Sequence, residues 1–167
     1  MRTFFRTGAY SRITAQYHHI DEYRRGGDLL KQPPHEAFVA EQTDHAIDGG
    51  SLSFDISSAD RSNHFNAYAS FQNTARKSYY GSKQDLDAYG TTHDLTLAAG
   101  MQYVHAFRKL LFMPSELTLG TEYSYDDLSD RSIGYDIRTD QTVHIVGAYL
   151  QNCLLYTSPS PRDLSTS

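Results

Sequence analysis

Apolar and polar side chains alternate with a period of two along much of this chain, a pattern that admits little besides a β-sheet with one apolar face. Leu95, Leu97, Ala99, Met101 and Tyr103 fall on one side, continuing through His105 to Phe107; Asp94, Thr96, Ala98, Gly100 and Gln102 fall on the other. The next segment sets Leu117, Leu119, Thr121, Tyr123 and Tyr125 against Glu116, Thr118, Gly120, Glu122 and Ser124. Successive side chains of a strand point to opposite faces, so each segment reads as a half-apolar strand. Three earlier stretches do the same: Ile13, Ala15 and Tyr17; Leu52, Phe54 and Ile56; Phe65, Ala67, Ala69 and Phe71. A further strand is expected near 141–151, its facing ambiguous, and the first is expected near 10–20. The expectation is all-β: about six antiparallel strands in one twisted sheet. Leu95, Leu97, Met101, Leu117, Leu119 and Tyr123 should share its convex face.

The links between these segments alternate in length. Those at 60–62 and 109–115 are short; those at 24–40, 74–91 and 128–140 are longer, polar and rich in Gly and Tyr. Transmembrane β-barrels of the outer-membrane type alternate tight turns with long loops in this way. The apolar faces of the two clearest segments run about 9–11 residues, the reach of a tilted membrane-spanning strand. A soluble up-and-down barrel or sandwich remains open on pattern alone. Short links should gather at one end of the sheet and long links at the other.

Composition narrows the classes. Hydrophobic residues make up 39%, and no apolar run approaches the length of a transmembrane helix, about 20 residues. A membrane barrel need look no more apolar, because only alternate side chains meet lipid. The chain has 13 Tyr and 8 Phe but no Trp, a strand-forming aromatic content suited to interface girdles. Net charge is −5 with no basic block, so nothing favours nucleic acid. The one Cys excludes an internal disulfide.

That Cys opens a segment of different character. Residues 153–163 read CLLYTSPSPRD, which resembles the one-frame translation of a transposase adapter used in sequencing libraries. The segment 153–167 is therefore expected to be a non-native, disordered tail, and 1–152 the natural domain. Met1 is followed by Arg2, Arg6 and Arg12 rather than the apolar core of a signal peptide, so the gene is expected to be cut at both ends.

Within 6–152, the segments EYRRGGDLL, PPHEAFVAEQTDHAIDGG, FQNTARKSYYG, DAYGTTHDLTLAAGMQYV, LLFMPSELTLGTEY, IGYDIRTDQ and AYLQN occur in that order. Together they resemble the barrel of TonB-dependent outer-membrane receptors, in particular those of gut-type Gram-negative anaerobes. The resemblance implies part of a transmembrane barrel in the cell outer membrane, an open sheet cut from a closed one. It implies energy-coupled import of a scarce ligand of the cobalamin, siderophore, haem or glycan class. Implied partners are outer-membrane lipid, the plug domain of the same parent chain, and a periplasmic energy transducer reached through the plug side. Neither catalysis nor a cofactor is implied. A passive porin-like or structural barrel is the alternative, and a soluble β-sheet binding module the third.

Candidate ligand contacts lie in the Tyr-rich links. Arg76, Lys77, Tyr79, Tyr80 and Tyr89 could form an aromatic and cationic surface; otherwise the tyrosines mark an interface girdle or brace one loop against another. Arg24, Arg25, Gly26 and Gly27 could bind an anion, or turn a loop and meet headgroups or acids. His18, His19, Asp21 and Glu22 form HHIDE, but adjacent strand residues face opposite ways and give no zinc signature. His93 and His105 read as interface or loop residues. Asp85, Asp87 and Tyr89 offer fewer oxygens than calcium takes, so a solvated loop is expected and no metal site is assigned.

Overall fold

The computed structural model describes residues 1–110 and 112–154. They form one antiparallel meander of seven strands: β1 (Arg2–Gly8), β2 (Ser11–Gly27), β3 (Val39–Ser57), β4 (Asn63–Ser82), β5 (Tyr89–Leu110), β6 (Met113–Ser132) and β7 (Ile137–Leu154). Spatial order follows chain order, and β1 does not pair with β7, so the sheet stays open. The expected strands are present in one sheet, with one more than expected at the start. β1 carries the adjacent pair Phe4 and Phe5 among arginines, so no alternation marks it.

Register brings the alternation of separate strands onto one face. Paired residues of an antiparallel ladder point the same way. Ile13 pairs with Phe54, Phe54 with Ala67, Ala67 with Met101, Met101 with Thr121, and Thr121 with Ala148. A second row runs through Ala15, Leu52, Ala69, Ala99, Tyr123 and Val146. Leu95, Leu97, Met101, Leu117, Leu119 and Tyr123 share this face. The ambiguous last strand is fixed by its neighbour: Leu150 pairs with Leu119 and Val146 with Tyr123, so Val146, Ala148 and Leu150 join the apolar side.

Among the described residues no second layer covers that face. Leu119 is 55% exposed, Leu52 54% and Met101 52%. A sheet with an apolar face ordinarily buries it against helices or another sheet. Among the described residues the buried apolar core is instead Ala37, Ala40 and Tyr79, with Ala88 and Tyr89 packed against it. This cluster sits at one end, where the link 28–38 and its single 3-10 turn at Pro34–Glu36 lie against β3 and β4.

The links separate by end, as a meander requires. The links 9–10, 58–62 and that between Leu110 and Met113 lie at one end; 28–38, 83–88 and 133–136 lie at the other. The long links are shorter than the sequence suggested, because the strands extend well past the apolar stretch; β5 alone has 22 residues, and 133–136, expected to be long, is shorter than 58–62, expected to be short. The last strand also runs further than expected at its C-terminal end. Cys153 and Leu154 pair with Glu116 and Ser115, so β7 crosses the expected boundary at 152. The remainder of the expected tail, 155–167, lies outside the described residues.

Two turns show how local chemistry sets the reversals. Asp60 Oδ1 accepts hydrogen bonds from the Ser62 N–H (3.1 Å) and Ser62 Oγ (2.8 Å), which closes the β3–β4 turn. These donors, with the Ser58 hydroxyl first, pull the Asp60 carboxyl down to about 2. At the other end, Gly27 has φ +98°, and a Cβ there would meet the Val39 carbonyl oxygen at 2.1 Å. Glycine alone satisfies both demands.

Candidate functional site

The polar face carries the denser chemistry. One register row joins Glu22, His45, Arg76, Thr92 and Asp130 across β2 to β6. Along it, Arg76 donates to Thr92 Oγ1 through Nη2 (2.8 Å) and Nε (3.1 Å). Thr92 donates in turn to Asp130 Oδ1 (2.5 Å), which also lies 3.5 Å from Arg76 Nη2. On the β2 side, Arg24 pairs with Glu22 at 2.6 Å. Exposed pairs of this kind contribute roughly 0–1 kcal/mol each, so the row orients side chains more than it stabilises the sheet.

Next to this row opens a cleft of about 240 Å³ lined by Arg24, Arg25, Gly26, Glu41, Thr43 and Tyr80. Beside it the Asp28 carboxylate accepts from the N–H of Val39 (3.0 Å) and of Phe38 (3.2 Å). Those bonds, Val39's first, with Arg25 nearby, hold Asp28 below the usual carboxylate range. Asp28 thus ties the start of the link to its end.

Two tyrosines on the polar face span strands in a way no sequence pattern announces. Tyr68 on β4 lies over its cross-strand partner Gly100 on β5, and its hydroxyl donates to Glu122 on β6. In mirror fashion, Tyr149 on β7 lies over Gly120 on β6 and donates to Gln102 on β5 at 2.7 Å. A Cβ on Gly120 would sit 2.3 Å from the Tyr149 ring, and one on Gly100 2.8 Å from the Tyr68 ring. The missing side chain is what lets each ring lie flat and reach two strands away. His18 covers Gly49 on the same face. The sequence signal is only a glycine within a strand; its partner emerges with the register.

The five candidate ligand residues divide between the faces. Arg76 and Tyr80 lie on the polar face, Tyr80 58% exposed at the cleft. Lys77, Tyr79 and Tyr89 lie on the opposite face, Tyr79 inside the small core and Tyr89 packed against it. Tyr79 is 1% exposed, meets the Tyr89 ring edge-on at 4.9 Å, and donates to the Asp85 carbonyl at 2.9 Å. Tyr89 bonds His35 Nδ1 at 2.7 Å. These two tyrosines therefore hold the links 28–38 and 83–88 together, assisted by Lys83 N–H to the Phe38 carbonyl (2.6 Å).

Other chemical candidates find partners within the sheet. His19 bonds Asp48 (2.7 Å) and Asp21 (3.0 Å), and Tyr17 donates to Asp48 (2.6 Å), all on the apolar-face side at the margin of the band, Tyr17 in the row of Leu97 and His19 and Asp48 in the row of Leu95. His18 points to the other face. At the opposite border Tyr103 (2.5 Å) and His105 (2.7 Å) share Asn63 Oδ1. Asp85 Oδ1 accepts the Asp87 N–H at 2.8 Å. Among the described residues no three His, Cys, Asp or Glu side chains are grouped to hold a metal ion. Comparison of the chain with protein-family models, with curated proteins and with solved structures gives no match.

Proposed function

We propose that this chain is part of the wall of an outer-membrane β-barrel, belonging to a receptor that imports a scarce ligand with energy supplied from the inner membrane. The observation that carries the barrel reading is the uncovered apolar face, continuous in register and bordered on both sides by Tyr, His and Asx side chains. Between Leu95 and His105 on β5 the face spans about ten residues, hence about 33 Å along the strand. At a tilt near 45° that is about 23 Å across, close to the ~25 Å apolar band of such barrels. Tyr and His tips at the borders hydrogen-bond, as amphipathic side chains do where hydrocarbon gives way to water. The polar face then lines the lumen, where Gln102, Glu122 and Arg76 stay hydrated.

The receptor reading rests on the segments that resemble TonB-dependent receptors. In it, the plug of the same parent chain lies against the lumen face, and the transducer acts on the plug. The cleft beneath Tyr80, at the end with the longer links, is the part of this wall best placed to meet a cobalamin, siderophore, haem or glycan ligand. No bond of the ligand is made or broken. Uptake by cells expressing the parent gene, with and without a proton-motive-force uncoupler, tests this. Import that stops with the uncoupler supports a receptor; import unaffected by it assigns a passive barrel.

A further inference from the structure

Beyond the apolar band, at the end with the longer links, register brings three cations into one row. Lys77 on β4 pairs with Thr91 on β5, Thr91 with Arg131 on β6, and Arg131 with Arg138 on β7. All three share the face that carries Leu97 and Met101, and all three are exposed. We infer that Lys77, Arg131 and Arg138 form a docking row for the phosphate groups of anionic lipid headgroups, an inference that rests on the barrel reading above.

Three observations carry it. The first is height: Thr91 lies about four residues beyond Leu95, or about 9 Å along the normal of a sheet tilted near 45°. That is the depth of the headgroup layer outside a hydrocarbon core about 30 Å thick.

The second is what the neighbouring acids already do. Asp48 is bonded by Tyr17 and His19, Asp127 by Thr142 (2.9 Å), and Asp140 by Ser129 (2.8 Å) and Arg138 (2.6 Å). Asp44 stands across the ladder from Lys77 but makes no ion pair with it, and Arg131 has no acidic partner among the described residues. Hydroxyl bonds leave those acids charged and Asp140 already matches Arg138, so the cations of this row without an ion pair among the described residues are Lys77 and Arg131.

The third is the direct pairing of Arg131 with Arg138. Like charges placed opposite each other in a ladder disfavour it. Asp140 on Arg138 Nε relieves part of that repulsion, and a phosphate at the Arg131 fork, which has no acidic partner among the described residues, relieves the rest and supplies bidentate acceptors.

The test uses the whole chain in flotation assays with vesicles of phosphatidylcholine alone, or mixed equally with phosphatidic acid. A preference for the phosphatidic acid vesicles is expected, falling about fivefold for each of Lys77→Gln and Arg131→Gln. The matched control is Arg6→Gln with Arg12→Gln, a directly paired couple on the polar face at the opposite end, which should keep the preference. Circular dichroism checks that each variant retains its sheet. Equal binding to both vesicles overturns the docking row and leaves the barrel reading standing; binding to neither overturns both. Equal loss in the Arg6/Arg12 control, or abolition by inorganic phosphate at the same ionic strength, also overturns the assignment to lipid.

Discussion

Replacing Gly120 by Ala tests whether the tyrosine that crosses two strands depends on the glycine beneath it. The new Cβ would stand 2.3 Å from Tyr149 Cζ and 2.5 Å from its Oη, so the ring must lift. Lifting it breaks the 2.7 Å bond to Gln102. A neutral hydrogen bond contributes about 0.5–1.5 kcal/mol net. Cross-strand aromatic packing adds about 0.2–1 kcal/mol. Those losses total about 0.7–2.5 kcal/mol, and alanine's smaller backbone entropy loss returns about 0.5–1 kcal/mol, so Gly120→Ala should cost up to about 2 kcal/mol. In a Tyr149→Ala background the same change should stabilise by about 0.5–1 kcal/mol, because alanine loses less backbone entropy in a strand. The coupling between the two positions is the lost ring interaction itself, about 0.7–2.5 kcal/mol. Urea midpoints of the four chains in detergent micelles, followed by circular dichroism, measure it. If Gly120→Ala costs the same in both backgrounds, within about 0.5 kcal/mol, the ring does not rest on the glycine and the reasoning fails.

Other outcomes follow from single sites. Tyr79→Phe should cost about 1 kcal/mol through the lost bond to Asp85, whereas Tyr79→Ala should cost about 3–5 kcal/mol and expose links 28–38 and 83–88 to protease. Limited proteolysis reads that contrast; equal cleavage in both variants would refute the bracing role. Gly27→Ala should destabilise by at least about 1 kcal/mol, since Ala is strained at positive φ, and Asp28→Ala should loosen the same link, seen as faster amide exchange at Phe38 and Val39. Asp60 has a folded value near 2, below the ordinary carboxylate value. Its contribution is thus fully present above the unfolded value and is lost as pH falls through the folded one. Exchange at the Ser62 amide should quicken between about pH 4 and pH 2 in the natural chain, and Asp60→Asn should remove that step.

The apolar side of each central strand could be read directly, since Leu95 to Tyr103 and Leu117 to Tyr125 alternate without a break. Strand length could not. Beyond the band both faces are polar, so β4 from Thr74 to Ser82 loses its alternation and resembles a loop, although the ladder continues through it. The last strand defeated pattern reading for the opposite reason: Val143 and Ile145 oppose Val146 and Leu150, and only pairing with Leu119 and Tyr123 decides the side. Of the candidate ligand residues, proximity in sequence was misleading. Tyr79 and Tyr80 are neighbours, so one must enter the small core while the other faces the cleft. Similarly, the row of Glu22, His45, Arg76, Thr92 and Asp130 joins residues whose relation is invisible until register is set.

The central claim is that one face of this sheet meets hydrocarbon and the other water. Single cysteines, introduced in a Cys153→Ser background at Leu97, Ala99 and Met101 and at Thr96, Ala98 and Gln102, can carry nitroxide labels in lipid vesicles. Their relaxation by oxygen, which concentrates in lipid, and by a water-soluble nickel chelate should alternate residue by residue along β5. Labels at Leu97, Ala99 and Met101 should favour oxygen, and those at Thr96, Ala98 and Gln102 the chelate. Equal access of the chelate to both sets, with no period of two, would contradict the account.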